Sequence, residues 1–205
     1  MTTAPTSRDR ARKALAERGL MRLADLKAFG VTATTVRRMQ DAGEVVKLGR
    51  GFYQAPDADY TSNHALAEAA LRVPNGVICL VSALAYHGLT DQLPSKVWMA
   101  IGQKDWSPSA SHPPLRIVRF ADHLLEAGVE TVVIEDMQVS IFGVAKTIAD
   151  AFRHRRTVGL SVALEGLQEA LRQRKASPSD ILAAAEQGRV GTIVRPYLTA
   201  LTANG

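Results

Sequence analysis

Apolar positions in the first fifty residues recur every three or four, in three short blocks. In "SRDRARKALAERG" they are Ala11, Ala14 and Leu15, between a capping residue at Ser7 and a terminating Gly19, which predicts a helix. "MRLADLKAFG" predicts a second short helix, with Leu23, Leu26 and Phe29 inward and Gly30 as its stop. "VTATTVRRMQDAGEV" predicts a third, opening at Thr32 as N-cap and running to about Ala42 and Gly43. The pattern then changes. "VVKLGRGFYQ" has β-branched and aromatic flanks around a glycine turn, which predicts a two-strand hairpin. Phe52 is expected to face the core, with the facing of Tyr53 left open. Three helices followed by a hairpin is the order of a winged helix-turn-helix.

The polar stretch "APDADYTSN" places a domain boundary near residues 56–61, giving a DNA-binding domain over 1–56 and a second domain over 62–205. In the second, "HALAEAALRV" reads as a helix stopped before Pro74, and "GVICLV" as an apolar strand entering the helix "SALAYHGL". "KVWMAI", "LRIVRF", "ETVVIED" and "MQVSIF" read as strands, the first two flanking a loop rich in Pro and Ser. The remainder is helical: "GVAKTIADAFRHR", then "VGLSVALEGLQEALRQR" with Leu160, Leu164, Leu167 and Leu171 on one stripe. "SPSDILAAAEQ" follows, with Ser177 as cap and Pro178 at the first helical position. A last helix, with Pro196 early in it, runs through "TIVRPYLTAL". The fold class is therefore α+β: a winged helix-turn-helix followed by a mixed α/β domain that ends in a helical bundle.

Charge sharpens this division. The chain carries a net +5, yet residues 1–56 hold eleven Lys/Arg and five Asp/Glu, a net of +6, which leaves the rest at −1. A cationic first quarter joined to a neutral remainder is the footprint of a nucleic-acid-binding module. No apolar run reaches the roughly 20 residues of a membrane span, and the N-terminus lacks the pattern of a secretory signal. With a single cysteine, Cys79, the chain can form neither an internal disulfide nor a multi-cysteine zinc site. A cytoplasmic protein is expected, without membrane contact.

Helical geometry gives the third helix two sides. A step of about 100° per residue puts Ala33, Val36 and Met39 on one side, with Thr34, Arg37 and Arg38 on the opposite or flanking side. The guanidinium fork suits guanine or phosphate, and threonine hydroxyls reach phosphates or base edges. A solvated helix face would show the same two arginines, so the hairpin decides the matter. Gly49 and Gly51 allow positive φ, letting a tight turn present Arg50 and approach a duplex closely. Lys47 supplies a further phosphate contact. The expected DNA contacts are Thr32, Thr34, Thr35, Arg37, Arg38, Lys47, Arg50 and Tyr53.

Other chemistry is sparse. The five histidines have no metal-ligand spacing, and His87 in "ALAYHGLTD" reads as a packed or rim residue. "GRGFYQ" lacks both the third glycine of a dinucleotide fingerprint and the Lys-Ser/Thr of a P-loop. Nothing resembles a nucleophile elbow. No catalytic residue, metal or cofactor is expected, and the chain is read as a non-enzyme. In "FRHRR", Arg153, Arg155 and Arg156 stand at a helix end where cations offset the dipole; the alternative is a docking patch for an acidic partner.

The order of the basic N-terminal helices, "VVKLGRGFYQAPDA", "ALAEAALRVPNGVICLVSALAYHGLTDQLPSKVWMAI", "LRIVRF", "GVAKTIADAFRHRRTVGLSVALEGLQEAL" and "RPYLTAL" resembles the AbiEi family of antitoxins and transcriptional regulators. The likeness runs from about residue 9 to 203, with "SALAYHGLTDQ" and "TVGLSVAL" its most specific parts. The resemblance implies a winged N-terminal domain that binds double-stranded DNA at repeats in its own promoter. It also implies a C-terminal domain that counteracts a nucleotidyltransferase toxin of the AbiEii type. Gly49, Arg50 and Gly51 match the family's glycine-flanked basic turn. Two other readings remain at this stage: a solitary regulator without a toxin, and an interaction module whose basic N-terminus grips RNA or an acidic protein.

Overall fold

The computed structural model describes residues 5–49, 51–56, 63–107 and 113–203. It is α+β, and its contacts divide it into two units: Met1–Arg72 with Val133–Met137, and Val73–Val132 with Gln138–Gly205. The division falls after Arg72, later than the polar stretch at 56–61, most of which lies outside the described residues. The reason is the helix of residues 64–72, whose Leu66, Ala67 and Ala69 are buried and which packs on the hairpin strand 46–49.

The N-terminal unit runs α1 (Ser7–Arg18), β1 (Leu20–Arg22), α2 (Leu23–Ala28), α3 (Ala33–Asp41), β2 (Val46–Gly49), β3 (Phe52–Gln54) and α4 (His64–Arg72). Thr6, one residue before the expected cap, closes a capping box with Asp9 at the start of α1. The core is Ala11, Ala14, Leu15, Met21, Leu26, Val31, Val36, Met39, Val45 and Tyr53. "MRLADLKAFG" is not one helix: its first residues form β1, an antiparallel partner of β3, so the sheet has three strands in the order β1-β3-β2. Phe29, expected inward, is 41% exposed, with the Arg18 guanidinium 5.1 Å from its ring centre.

The C-terminal unit contains β4 (Val77–Ile78), α5 (Leu80–Tyr86), β5 (Val97–Gly102), β6 (Leu115–Phe120), α6 (Asp122–Leu125), β7 (Val129–Ile134), β8 (Met137–Phe142), α7 (Val144–Arg153), α8 (Arg155–Val158), α9 (Leu160–Arg172), α10 (Pro178–Gln187) and α11 (Gly191–Thr202), apart from the tip of the β7–β8 hairpin. The sheet order is β6-β5-β4-β8-β7, with β4 antiparallel to β5 and parallel to β8. "GVICLV" gives only a two-residue strand, because α5 begins at Leu80, where φ is +47°. The leucine stripe on α9 is partial: Leu167 is buried, while Leu160 is 39% exposed. Pro196 sits inside α11, not at its start.

Helix α7 packs against α5, α9, α10 and α11, and its residues 146–152 are all buried. Two of them are charged. The Lys146 ammonium donates to Asp150 Oδ1 at 2.9 Å, one turn away, and lies 4.9 Å and 5.3 Å from the ring centres of Phe142 and Phe120. Gly128 takes φ +66° beside this stem, where a Cβ would fall 2.8 Å from that of Lys146. Burial pushes the Asp150 carboxyl from 3.8 up to about 6, against the pull of Lys146. Burial likewise raises the Cys79 thiol well above its ordinary value, so it stays protonated.

A buried pair of this kind contributes little beyond what apolar side chains would, but breaking it is costly. Lys146→Met is expected to destabilise the protein by about 3–5 kcal/mol, and Lys146→Met with Asp150→Leu by distinctly less. Urea unfolding of the two variants measures the difference; equal losses would show that the pair has no coupling. The pH dependence has a definite sign. Because the folded pKa of Asp150 is raised to about 6, its contribution is fully present below its unfolded value of 3.8 and is lost as pH rises through 6. The stability of wild type relative to Asp150→Asn should therefore fall by about 3 kcal/mol between about pH 4 and pH 7. Denaturant midpoints of both proteins across that range test this.

Candidate nucleic-acid interface

Helix α3 is amphipathic, although Ala33, expected on its apolar side, is exposed at the first turn. Val36 and Met39 are each 1% exposed and seat the helix on the core, whereas Thr34, Arg37 and Arg38 are exposed. Thr32 is the N-cap: its hydroxyl accepts from the Thr35 amide at 3.1 Å and lies 2.9 Å from the Thr35 hydroxyl. Two of the three threonines are thus committed to starting the helix, and Thr34 alone presents a hydroxyl not engaged in the cap.

The hairpin next to α3 is shaped by its register. Lys47 lies opposite Tyr53 and Gly49 opposite Phe52, which leaves Leu48 as the extra residue of a bulge. Gly51 has φ +76° with nothing within 4 Å of a would-be Cβ, so the turn needs glycine for its backbone conformation and not for space. The Gly51 carbonyl accepts from the Leu23 amide at 2.6 Å, tying the turn to the start of α2. Lys47 is exposed; Arg50 lies outside the described residues.

Tyr53, whose facing the sequence leaves open, takes the core place expected of Phe52. Tyr53 is only 8% exposed and belongs to the core, which removes its ring from the surface, while Phe52 is half-buried. Pairing with β1 accounts for the two facings. Directly opposed residues of an antiparallel pair share a face. Tyr53 is opposite Met21, a core residue, and Phe52 is opposite the exposed Arg22. On β2 the residue opposite Tyr53 is the exposed Lys47, so the hairpin alone does not set this facing, and no local pattern marks "LMR" as a strand.

The cations of this unit fall into two sets. Arg8 and Arg12 both pair with Glu44, the second at 3.1 Å. Arg10 donates to the Pro5 and Gly30 carbonyls, so it braces the turn between α2 and α3. Arg18 lies 4.0 Å from Asp136, and Lys13 3.9 Å from Glu17. Lys27, Arg37, Arg38 and Lys47 have no hydrogen bond or ion pair among the described residues. Arg22 has none either, but its guanidinium lies over the Phe52 ring at 5.2 Å. Arg22 and Lys27 were not among the expected contacts. Their net charge was visible in the sequence, but their freedom from carboxylates was not.

In the C-terminal unit, Arg153 donates to the Gly188 carbonyl at 2.9 Å and Arg155 to the Phe152 carbonyl at 3.1 Å, so both close helix ends. Arg156 is exposed. His87 accepts its rim role, its Nε2 lying 2.8 Å from the Phe142 carbonyl oxygen. Among the described residues no group of three His, Cys, Asp or Glu is placed to hold a metal ion, and no helix is long and apolar enough to cross a membrane.

The crystal structure of the RV2827C protein from Mycobacterium tuberculosis is similar in fold, with a TM-score of 0.58 at 14% identity over 99% of this chain and 83% of that one. No curated protein matches the sequence. Residues 9–56, from α1 to the end of the hairpin, match a family described as transcriptional regulator, AbiEi antitoxin. Over that segment, the first quarter of the chain, the sequence is similar to AbiEi antitoxins and transcriptional regulators.

Proposed function

We propose that this protein binds double-stranded DNA through α3 and the β2–β3 hairpin, acting as a winged helix-turn-helix, and represses its own promoter at repeated sites. The observation that carries the reading is the state of Arg37 and Arg38. Both are exposed on the side of α3 away from Val36 and Met39, and neither has a carboxylate partner among the described residues. Lys47 adds a cation without a partner among the described residues on the adjoining hairpin. Side chains held in this way suit phosphates and the guanine edge. The family description names both a regulator and an antitoxin.

The C-terminal unit is assigned the second role, counteracting a nucleotidyltransferase toxin of the AbiEii type. Of the three arginines at the α7–α8 junction, Arg156 is the one best placed to meet a partner, since Arg153 and Arg155 are held by backbone carbonyls. The reaction belongs to the toxin; this chain supplies surfaces and no catalytic group.

Arg37→Ala with Arg38→Ala should weaken binding to the DNA upstream of its own gene at least about tenfold. It should also lower the slope of log K against log salt by about two. Fluorescence anisotropy over a salt series measures both, and an unchanged slope would remove α3 as the recognition element. The same double variant, co-expressed with a nucleotidyltransferase toxin of the AbiEii type that the wild-type protein counteracts, should still restore growth while a promoter reporter is derepressed. Loss of both activities together would mean that the two roles are not divided as stated.

A further inference from the structure

The pairing of β1 with β3 creates a feature that the recognition helix and the turn do not account for. Arg22 and Phe52 are opposed in register on the outward face of the sheet, with the guanidinium 5.2 Å from the ring centre. Phe52 is the first strand residue after the hairpin turn, and the next residue after Arg22, Leu23, donates its amide to the Gly51 carbonyl of that turn. Arg22 is therefore placed at the root of the hairpin by its strand pairing and the Leu23 hydrogen bond that follows it, with its guanidinium in cation–π contact with the Phe52 ring. Asp25 and Asp136 line the same small cleft, yet neither forms an ion pair with it.

We infer that Arg22, held on Phe52, is a preorganised phosphate clamp at the base of the hairpin; this rests on the DNA-binding reading above. The physical case lies in what the arrangement costs and leaves available. A free arginine must lose side-chain freedom when it grips an anion, whereas one already in contact with a ring has lost part of it beforehand. A cation–π contact of this kind uses no hydrogen bond of the guanidinium, so its N–H donors stay open for a phosphate. The partly exposed Phe52 then has a function that burial could not give it. It is a positioning residue, and Arg22 is the contacting one. Because phosphates carry no sequence information, the clamp serves affinity and orientation, not base recognition.

The test uses the full chain and two unrelated short duplexes of mixed sequence, with anisotropy read from about 50 to 200 mM salt. Arg22→Ala is expected to weaken binding several-fold on both duplexes alike and to lower the salt slope by about one. Phe52→Leu should weaken binding while leaving the slope intact, since the charge remains. Arg8→Ala removes the same charge from a residue bound to Glu44 and should leave the slope unchanged. If circular dichroism finds Arg22→Ala unfolded, Arg22→Gln carries the same expectation. An Arg22 slope equal to wild type, with Arg37→Ala/Arg38→Ala still lowering it, overturns the clamp and leaves the DNA-binding reading standing. A wild-type protein that binds neither duplex at the lowest salt overturns both.

Discussion

Every cation in a folded chain must be hydrated, paired or stacked, and which of these each lysine and arginine receives organises both units of this protein. In the C-terminal unit the constraint is severe. Lys146 lies inside a helix buried on all sides, where an unpaired charge would cost several kcal/mol. It is met by a carboxylate one turn away and two aromatic rings. The result is a helix whose residues 146–152 the surrounding elements can enclose, with the price recorded in the raised pKa of Asp150.

In the N-terminal unit the same constraint sorts residues by use. Arg8, Arg10 and Arg12 are consumed in holding α1 to the rest: the first and third through Glu44, the second through the Gly30 carbonyl. What is left over, on α2, α3 and the hairpin, is a set of cations for which the described residues offer no carboxylate. A net charge counts the two sets together. Only the paired set contributes to the fold, and only the other is available to a polyanion such as DNA.

Strand pairing does for the hairpin what ion pairing does for the helices. Once β1 lies beside β3, Met21 fixes the facing of Tyr53, and Arg22 that of Phe52. One aromatic is drawn into the core and the other is left at the rim beneath a guanidinium. The bulge at Leu48 and the left-handed Gly51 then set how the turn leaves the sheet. These are small local events, but they determine which side chains a duplex could meet.

Much of this was legible from periodicity and capping. The spacing of Val36 and Met39 against Arg37 and Arg38 depends only on the 3.6-residue repeat, and Thr32 and Ser177 announce their helices by hydrogen-bonding chemistry within three residues. The hairpin glycines, the β5–β8 strands and the helices after residue 143 are likewise local signals, which sequence carries directly. What sequence could not carry depends on partners distant along the chain. The three-residue strand β1 is too short to show a period, so its residues read as the start of the helix that follows. Its pairing some thirty residues away, not the alternation of "FY", chose between Phe52 and Tyr53. Whether Arg22 or Arg8 is free, whether Lys146 is buried, and where one unit ends were settled only when residues far apart in the chain were brought within a few ångströms, because a charge or a face is defined by what it meets.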